Sequence, residues 1–248
     1  MNYSPIKNLL DNYIILVTGA SDGIGRSVAI SYAKYGARLI LLSRNEKKLL
    51  SVKQTIEKMG YKEAMILPFD LACQDPKEYQ NLINKIAKKN ISHIDGLLNN
   101  AGLLGTIMPI AQQDPFQWKQ VIDVNINGTF MITQTFLPLL LNARSPSIIF
   151  TTSSVGRKGR AHWGAYAVSK FATEGMMQVL SHEYDPTLLR VNCINPGAIR
   201  THMRASAFPN ENPMNLKSPN DITLIYLYLM GSDSKGKTGL SYNAYDFL

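Results

Sequence analysis

The segment TGASDGIG, Thr18 to Gly25, follows directly on the apolar run YIILV at Tyr13–Val17 and opens a helical pattern over Gly23–Tyr35. This junction constrains the fold more than any other feature. A strand that turns into a helix within a few residues needs glycine for the turn, here Gly19, Gly23 and Gly25. It also leaves bare backbone and free amides at the carboxyl end of the strand, where the helix dipole favours an anion such as a pyrophosphate. Two other readings stay open at this point: a glycine turn chosen for packing alone, and a methyltransferase loop for a different adenosine cofactor.

The rest of the chain repeats the alternation. Short apolar runs at Arg38–Leu42, Ala64–Leu67, Ile94–Leu98, Ser147–Thr152 and Arg190–Ile194 are separated by helical patterns near Glu46–Met59, Pro76–Lys89, Asp114–Leu141 and Tyr166–Glu183. Runs that are apolar throughout imply strands buried on both faces, and alternation with helices implies βαβ units and a parallel sheet. The expected fold class is α/β, a doubly wound layer that binds ligands at the carboxyl ends of its strands. No linker or repeat divides the 248 residues, so one domain over 1–248 is expected. The stretch Arg200–Pro219 is long and irregular, and is expected to form a substrate lid.

Composition narrows the function classes. The net charge of +8 attracts phosphates, but no groove-reading motif accompanies it, so no nucleic-acid partner is expected. The four histidines lack metal-ligand spacing and no metal site is expected. Cys73 and Cys193 are far apart beside apolar runs and read as buried thiols of a reducing compartment. No segment resembles a secretion signal, and none approaches the ~20 apolar residues of a membrane span, so a cytoplasmic protein with no membrane partner is expected.

The end of the second strand reads Ser43-Arg44. An acid at this place would hold a ribose 2′-hydroxyl and repel a 2′-phosphate. Its absence, with an arginine beside it, points to NADP(H) over NAD(H). The other reading of Arg44 is a solvated helix-cap residue. Asp70 and Leu71, after the third strand, are placed to contact an adenine.

Tyr166 and Lys170 are four residues apart on one predicted helix and share a face. A free phenol titrates near 10, and a neighbouring ammonium favours the phenolate, which allows proton exchange with a substrate oxygen. The alternative is a surface tyrosine and a solvated lysine. Ser153 closes a strand, where its hydroxyl could bond a substrate carbonyl, and the 50 residues from Val124 to Thr173 contain no acid.

These residues carry a family resemblance over nearly the whole length. The chain resembles a single-domain short-chain dehydrogenase/reductase. Thr18–Gly25 matches the TGxxxGxG loop, adding Ser21, Asp22 and Ile24 to the glycines. Asn99, Asn100, Ala101 and Gly102 match NNAG. Asn125, Ser153, Tyr166 and Lys170 match the catalytic tetrad. Asn195, Pro196 and Gly197, then Ile199 and Thr201, match the stretch that holds the nicotinamide amide. GAYAVSKFATEGMMQVL, RVNCINPG and MRASAFP look like the bacterial YciK-type oxidoreductases.

The resemblance implies a Rossmann-type, mostly parallel seven-stranded sheet and hydride transfer between a carbonyl and an alcohol. Tyr166 would be the general acid or base. Lys170 would lower its pKa and hold the nicotinamide ribose, Ser153 would polarise the carbonyl, and Asn125 would hold a water linking Lys170 to solvent. It also implies a homodimer or homotetramer through the helices at 115–141 and 166–184, although the ending TGLSYNAYDFL departs from the family's VDGG-like finish and puts the tetramer in doubt. A cofactor-binding regulator on the same fold is the competing expectation.

Arg157, Lys158 and Arg160, with Arg200, His202 and Arg204 from the lid, are expected to flank the pocket. They select an anionic substrate or serve only structural salt bridges and caps.

Overall fold

The protein is described here by a computed structural model, over residues 3–247. The glycine junction is where the sequence places it. Strand β1 (Ile14–Thr18) runs into helix α1 (Gly23–Lys34), whose N-terminus is capped by the Asp22 side chain. Then follow β2 (Arg38–Ser43), α2 (Glu46–Lys58), β3 (Met65–Pro68), α3 (Pro76–Ala87) and β4 (Gly96–Asn99). Asn45 and Asp75 cap α2 and α3 through their side chains, and Pro76 occupies the first turn of α3.

The second half contains α4 (Pro115–Ile122), α5 (Thr129–Leu141), β5 (Ser147–Thr151), α6 (Gly164–Glu183), β6 (Arg190–Asn195), α7 (His202–Ala207), α8 (Thr223–Met230) and β7 (Ser241–Asn243). Asp114 caps α4 as expected, accepting from the amides of Phe116 and Gln117. The predicted helix Asp114–Leu141 differs in one respect. Between α4 and α5 the backbone forms a π turn over Asp123–Gly128, which widens the helix by one residue in the middle.

Among the described residues the sheet has seven strands, all parallel, in the order β3-β2-β1-β4-β5-β6-β7. Strand order reverses between β1 and β4, and the crevice at their carboxyl ends is the natural ligand position. Period-two alternation divides the core. Ile15, Val17, Leu39, Leu41, Leu98, Ile149 and Ile194 meet α1, α2 and α8 on one face. Leu16, Ile40, Leu42, Leu97, Ile148, Phe150, Val191 and Cys193 meet α3, α5 and α6 on the other.

The sequence reading missed β7 and α8, and the expected irregular lid contains the two turns of α7. Cys193 is buried as expected, but Cys73 is only half-buried, because it sits in the turn after β3 rather than in a strand. No helix of the described residues is long and apolar enough to cross a membrane.

β6 and α8 are joined by Arg190, which is almost fully buried. Its guanidinium donates to the carbonyls of Leu229, Met230 and Gly231, closing the C-terminal end of α8.

Candidate active site

A cleft of about 300 Å³ opens at the switch between β1 and β4. Its lining joins the two groups of residues that the sequence singled out. At one end are Gly19, Asp22, Gly23, Ile24, Asn100, Ala101 and Gly102. At the other are Ser153, Tyr166 and Lys170, and Pro196, Gly197, Ile199 and Thr201 lie between lid and sheet.

The glycine end is a cradle of backbone. Gly19 has a φ of +65°, and a Cβ there would come within 2.9 Å of Ala101 Cα. A Cβ on Gly25 would collide with the Gly19 carbonyl and the Asn100 side-chain amide. Asn100 is fixed in turn by donating to the Thr18 carbonyl, while Thr18 Oγ1 accepts from the amides of Asn100 and Ala101. The NNAG turn and the glycine loop thus lock each other beside the N-terminus of α1. This space and polarity fit a dinucleotide pyrophosphate.

Ser21, Ser43, Arg44 and Asp70 gather just outside the cleft at the ends of β2 and β3. Ser43 Oγ donates to Ser21 Oγ at 2.8 Å, and the Arg44 guanidinium lies 3.9 Å from the Asp70 carboxylate, both well exposed. Lys48, missed by the sequence reading, bonds Asp22 at 2.6 Å and adds a second cation to this corner. Its signal was available: it lies one turn into the helix that follows Arg44. Leu71 is the exception among the expected contacts. Its side chain is packed in the core and its carbonyl accepts from Tyr79 Oη.

At the reacting end, α6 carries Tyr166 and Lys170 one turn apart. Lys170 is almost fully buried, donates to the Thr151 carbonyl at 2.8 Å, and lies 5.6 Å from the centre of the Tyr166 ring. Burial pushes Lys170 down to about 8. Tyr166 does not show the lowered pKa expected of it. Burial pushes the phenol up to about 12, and a hydrogen bond with Ser153 opposes that rise. The physical reason is that the lysine is itself desolvated and aimed at a carbonyl, so the loss of water around the phenol dominates.

Asn125, inside the π turn, is buried. Its Oδ1 accepts from the Leu103 amide at 2.7 Å, and its Nδ2 donates to the Leu103 carbonyl and to Ser169 Oγ. The side chain therefore ties the segment after NNAG to α6, beside Gly102, where an added Cβ would lie 3.4 Å from Asn125 Oδ1 and 3.8 Å from Lys170 Nζ.

The basic stretch separates from the cleft. Arg157 reaches away from it to Glu174 Oε1 (3.1 Å), Asn243 Oδ1 (2.8 Å), Ser241 Oγ and the Tyr242 carbonyl, fastening β7 to α6. Neither Arg157, Lys158, Arg160 nor Arg200 lines the cleft, so the expectation that both basic segments flank the pocket holds only for His202 and Arg204. The sequence reading missed Leu104, Trp163, Met203 and Ala207, which line the reacting end. Trp163 lies three residues before Tyr166 and on the same side, a spacing that could have disclosed it. Among the described residues no cluster of His, Cys, Asp and Glu could hold a metal ion.

The family model for short chain dehydrogenase matches residues 13–212. The uncharacterized oxidoreductase YciK of Escherichia coli K12 is 55% identical over 244 residues, covering 98% of this chain and 96% of that protein. A short chain dehydrogenase of Shigella flexneri solved with NADP has 54% identity and a TM-score of 0.94, covering 97% of this chain and 100% of that one. One from Escherichia coli CFT073, solved with NADPH, has 55% identity and a TM-score of 0.94, covering 97% and 99%.

Proposed function

Because the chain belongs to the short-chain dehydrogenase family, we propose that it is an NADP(H)-dependent oxidoreductase that interconverts a carbonyl compound and an alcohol. The observation that carries this reading is the placing of Ser153, Tyr166 and Lys170 in the same cleft as the glycine cradle. The bound nicotinamide supplies or accepts two electrons as hydride at the substrate carbon.

The chain's own residues handle the oxygen. Burial keeps the proton on Tyr166, which suits it to protonate the oxygen as a carbonyl is reduced. Ser153 Oγ accepts from the Val155 amide and its hydroxyl hydrogen-bonds the Tyr166 phenol, a bond that a substrate oxygen between the two would share. Lys170, held by the Thr151 carbonyl, supplies the nearby positive charge that stabilises a phenolate in the reverse direction. Asn125 steadies the wall behind Lys170.

Preference for NADP(H) is supported by the missing acid at Ser43, by Arg44 and Lys48 at that corner, and by the two relatives solved with NADP and NADPH. Phe116, Phe130, Val168, Phe171 and Val179 are exposed on α4, α5 and α6, which supports a homo-oligomer through these helices.

The test is Tyr166→Phe. NADPH binding, followed by fluorescence titration, should stay near wild type. Carbonyl reduction should fall by about 10²–10⁴-fold, the range for a lost general acid. Wild-type turnover in this variant would sink the mechanism.

A further inference from the structure

Besides Tyr166, four side chains with acidic or basic groups line the cleft: Asp22, Lys170, His202 and Arg204. Three of them are committed away from a substrate's outer body. His202 lies 3.4 Å from Asp22 at the cradle end, and Lys170 sits beneath Tyr166, bonded to Thr151. Arg204, on the lid helix α7, remains. Its guanidinium is forked onto Glu211, with Nε to Oε2 at 2.6 Å and Nη2 to Oε1 at 2.7 Å, and its flat face lies 3.7 Å from the centre of the Phe208 ring. Both partners of this pair are largely shielded from water, with 24% and 29% of their side chains exposed. The donors that would grip a carboxylate bidentately are thus already matched by one.

Beyond Thr151, Thr152 and Ser153, the reacting end is apolar. Trp163 lies with its ring 5.8 Å from that of Tyr166 and 5.9 Å from that of Phe208. Leu104, Met203 and Ala207 complete the wall. A flat ring set against Trp163 would bury its faces on carbon and offer its edge carbonyl to Tyr166 and Ser153. A carboxylate there would lose its water and meet, among the residues that line the cleft, only an arginine whose Nε and Nη2 already serve Glu211.

Resting on the carbonyl–alcohol reading above, we propose that the site selects uncharged carbonyl compounds with an aromatic or alicyclic body, seated on Trp163. The Arg204–Glu211 pair acts as a charge filter that rejects their carboxylated counterparts.

The experiment uses the full chain saturated with NADPH and two matched comparisons. Turnover is compared for benzaldehyde and 4-carboxybenzaldehyde. Binding is read separately, as quenching of tryptophan fluorescence by benzamide and by benzoate. Wild type should favour the neutral member of each pair by about tenfold or more, the scale of one unmatched charge in a shielded site. Glu211→Gln frees the guanidinium and should move both ratios toward the acid by about tenfold. Trp163→Leu should weaken benzamide binding several-fold and remove most of the quenching.

Benzoate binding as well as benzamide, failure of both to bind, or ratios unmoved by Glu211→Gln would each overturn the filter. Selective benzamide binding that responds to Glu211→Gln, with no turnover of either aldehyde, would support the filter and count against the oxidoreductase reading instead.

Discussion

Replacing Arg157 by methionine should destabilise the fold without changing which substrates the cleft accepts. The guanidinium makes one charged and three neutral hydrogen bonds, the first to Glu174 of α6 and the others, across more than 80 residues of chain, to β7. The Glu174 side chain is 10% exposed and that of Arg157 is 32% exposed, so water screens the ion pair only in part. A charged hydrogen bond contributes about 1.5–3 kcal/mol net, which solvent on the arginine side reduces to about 1 kcal/mol here. Three neutral bonds at the low end of their range add about 1.5 kcal/mol. Methionine keeps much of the stem packing, so the expected loss is about 2–3 kcal/mol. For a chain of this size that lowers Tm by about 5–10 °C.

Thermal unfolding followed by circular dichroism measures it, with Arg160→Ala as the comparison. Arg160 has no ion pair among the described residues, and its alanine variant should lie within about 0.5 kcal/mol of wild type. Neither variant should alter the ratio of kcat/KM between neutral and carboxylated substrates. An Arg157→Met protein as stable as wild type, or one that loses only carboxylated substrates, would refute the structural role.

Three further outcomes are expected. Gly25→Ala forces a methyl against the Gly19 carbonyl. It should weaken NADPH binding by at least about tenfold and cost about 1–3 kcal/mol of stability, read by titration and melting; wild-type affinity would show that the cradle has slack. Lys170 carries its charge below its pKa of about 8 and loses it above. The kcat/KM for reduction should therefore fall as pH rises through that value, and a profile flat well beyond it would detach Lys170 from the reaction. Arg44→Ala should weaken NADPH by about tenfold, one charge-assisted phosphate contact, with little change for NADH; equal losses in calorimetry would deny Arg44 the 2′-phosphate.

The elements legible in the sequence are those with one dominant physical cause. The first six strands are built on apolar runs because both faces of the sheet are covered, and their predicted and observed limits differ by two residues or fewer. The capped helices were equally clear, since Asp114-Pro115 and Asp75-Pro76 state their own starts. β7 was invisible because it is three residues long and half polar, and it is held by Arg157 and by pairing with β6, neither of which is local. TLIYLYLM, which forms α8, is apolar on every side and shows no helical period, so only its burial against α1 and β5 identifies it.

In the cleft, spacing disclosed residues that share one helix or one loop. The positions of Trp163, Met203 and Ala207 relative to Tyr166 depend on how α7 folds back over α6, which no local pattern records. The same limit hid the upward shift of Tyr166, because its cause is the depth of the pocket and not the identity of its neighbours.

The π turn at Asp123–Gly128 has a consequence for how this chain can change in length. Each residue of a helix turns the chain by about 100°. Deleting one residue from the turn would rewind it as ordinary α-helix. Because the turn already holds one residue more than an α-helix would, that loss would leave Val121 before it and Ile132, Phe136 and Leu140 after it on their present faces. What it would remove is the widening that carries Asn125 to Leu103 and Ser169. A one-residue deletion there would therefore spare the helix packing and cost the site, whereas harmless drift in length falls in the exposed loops such as the one after α3.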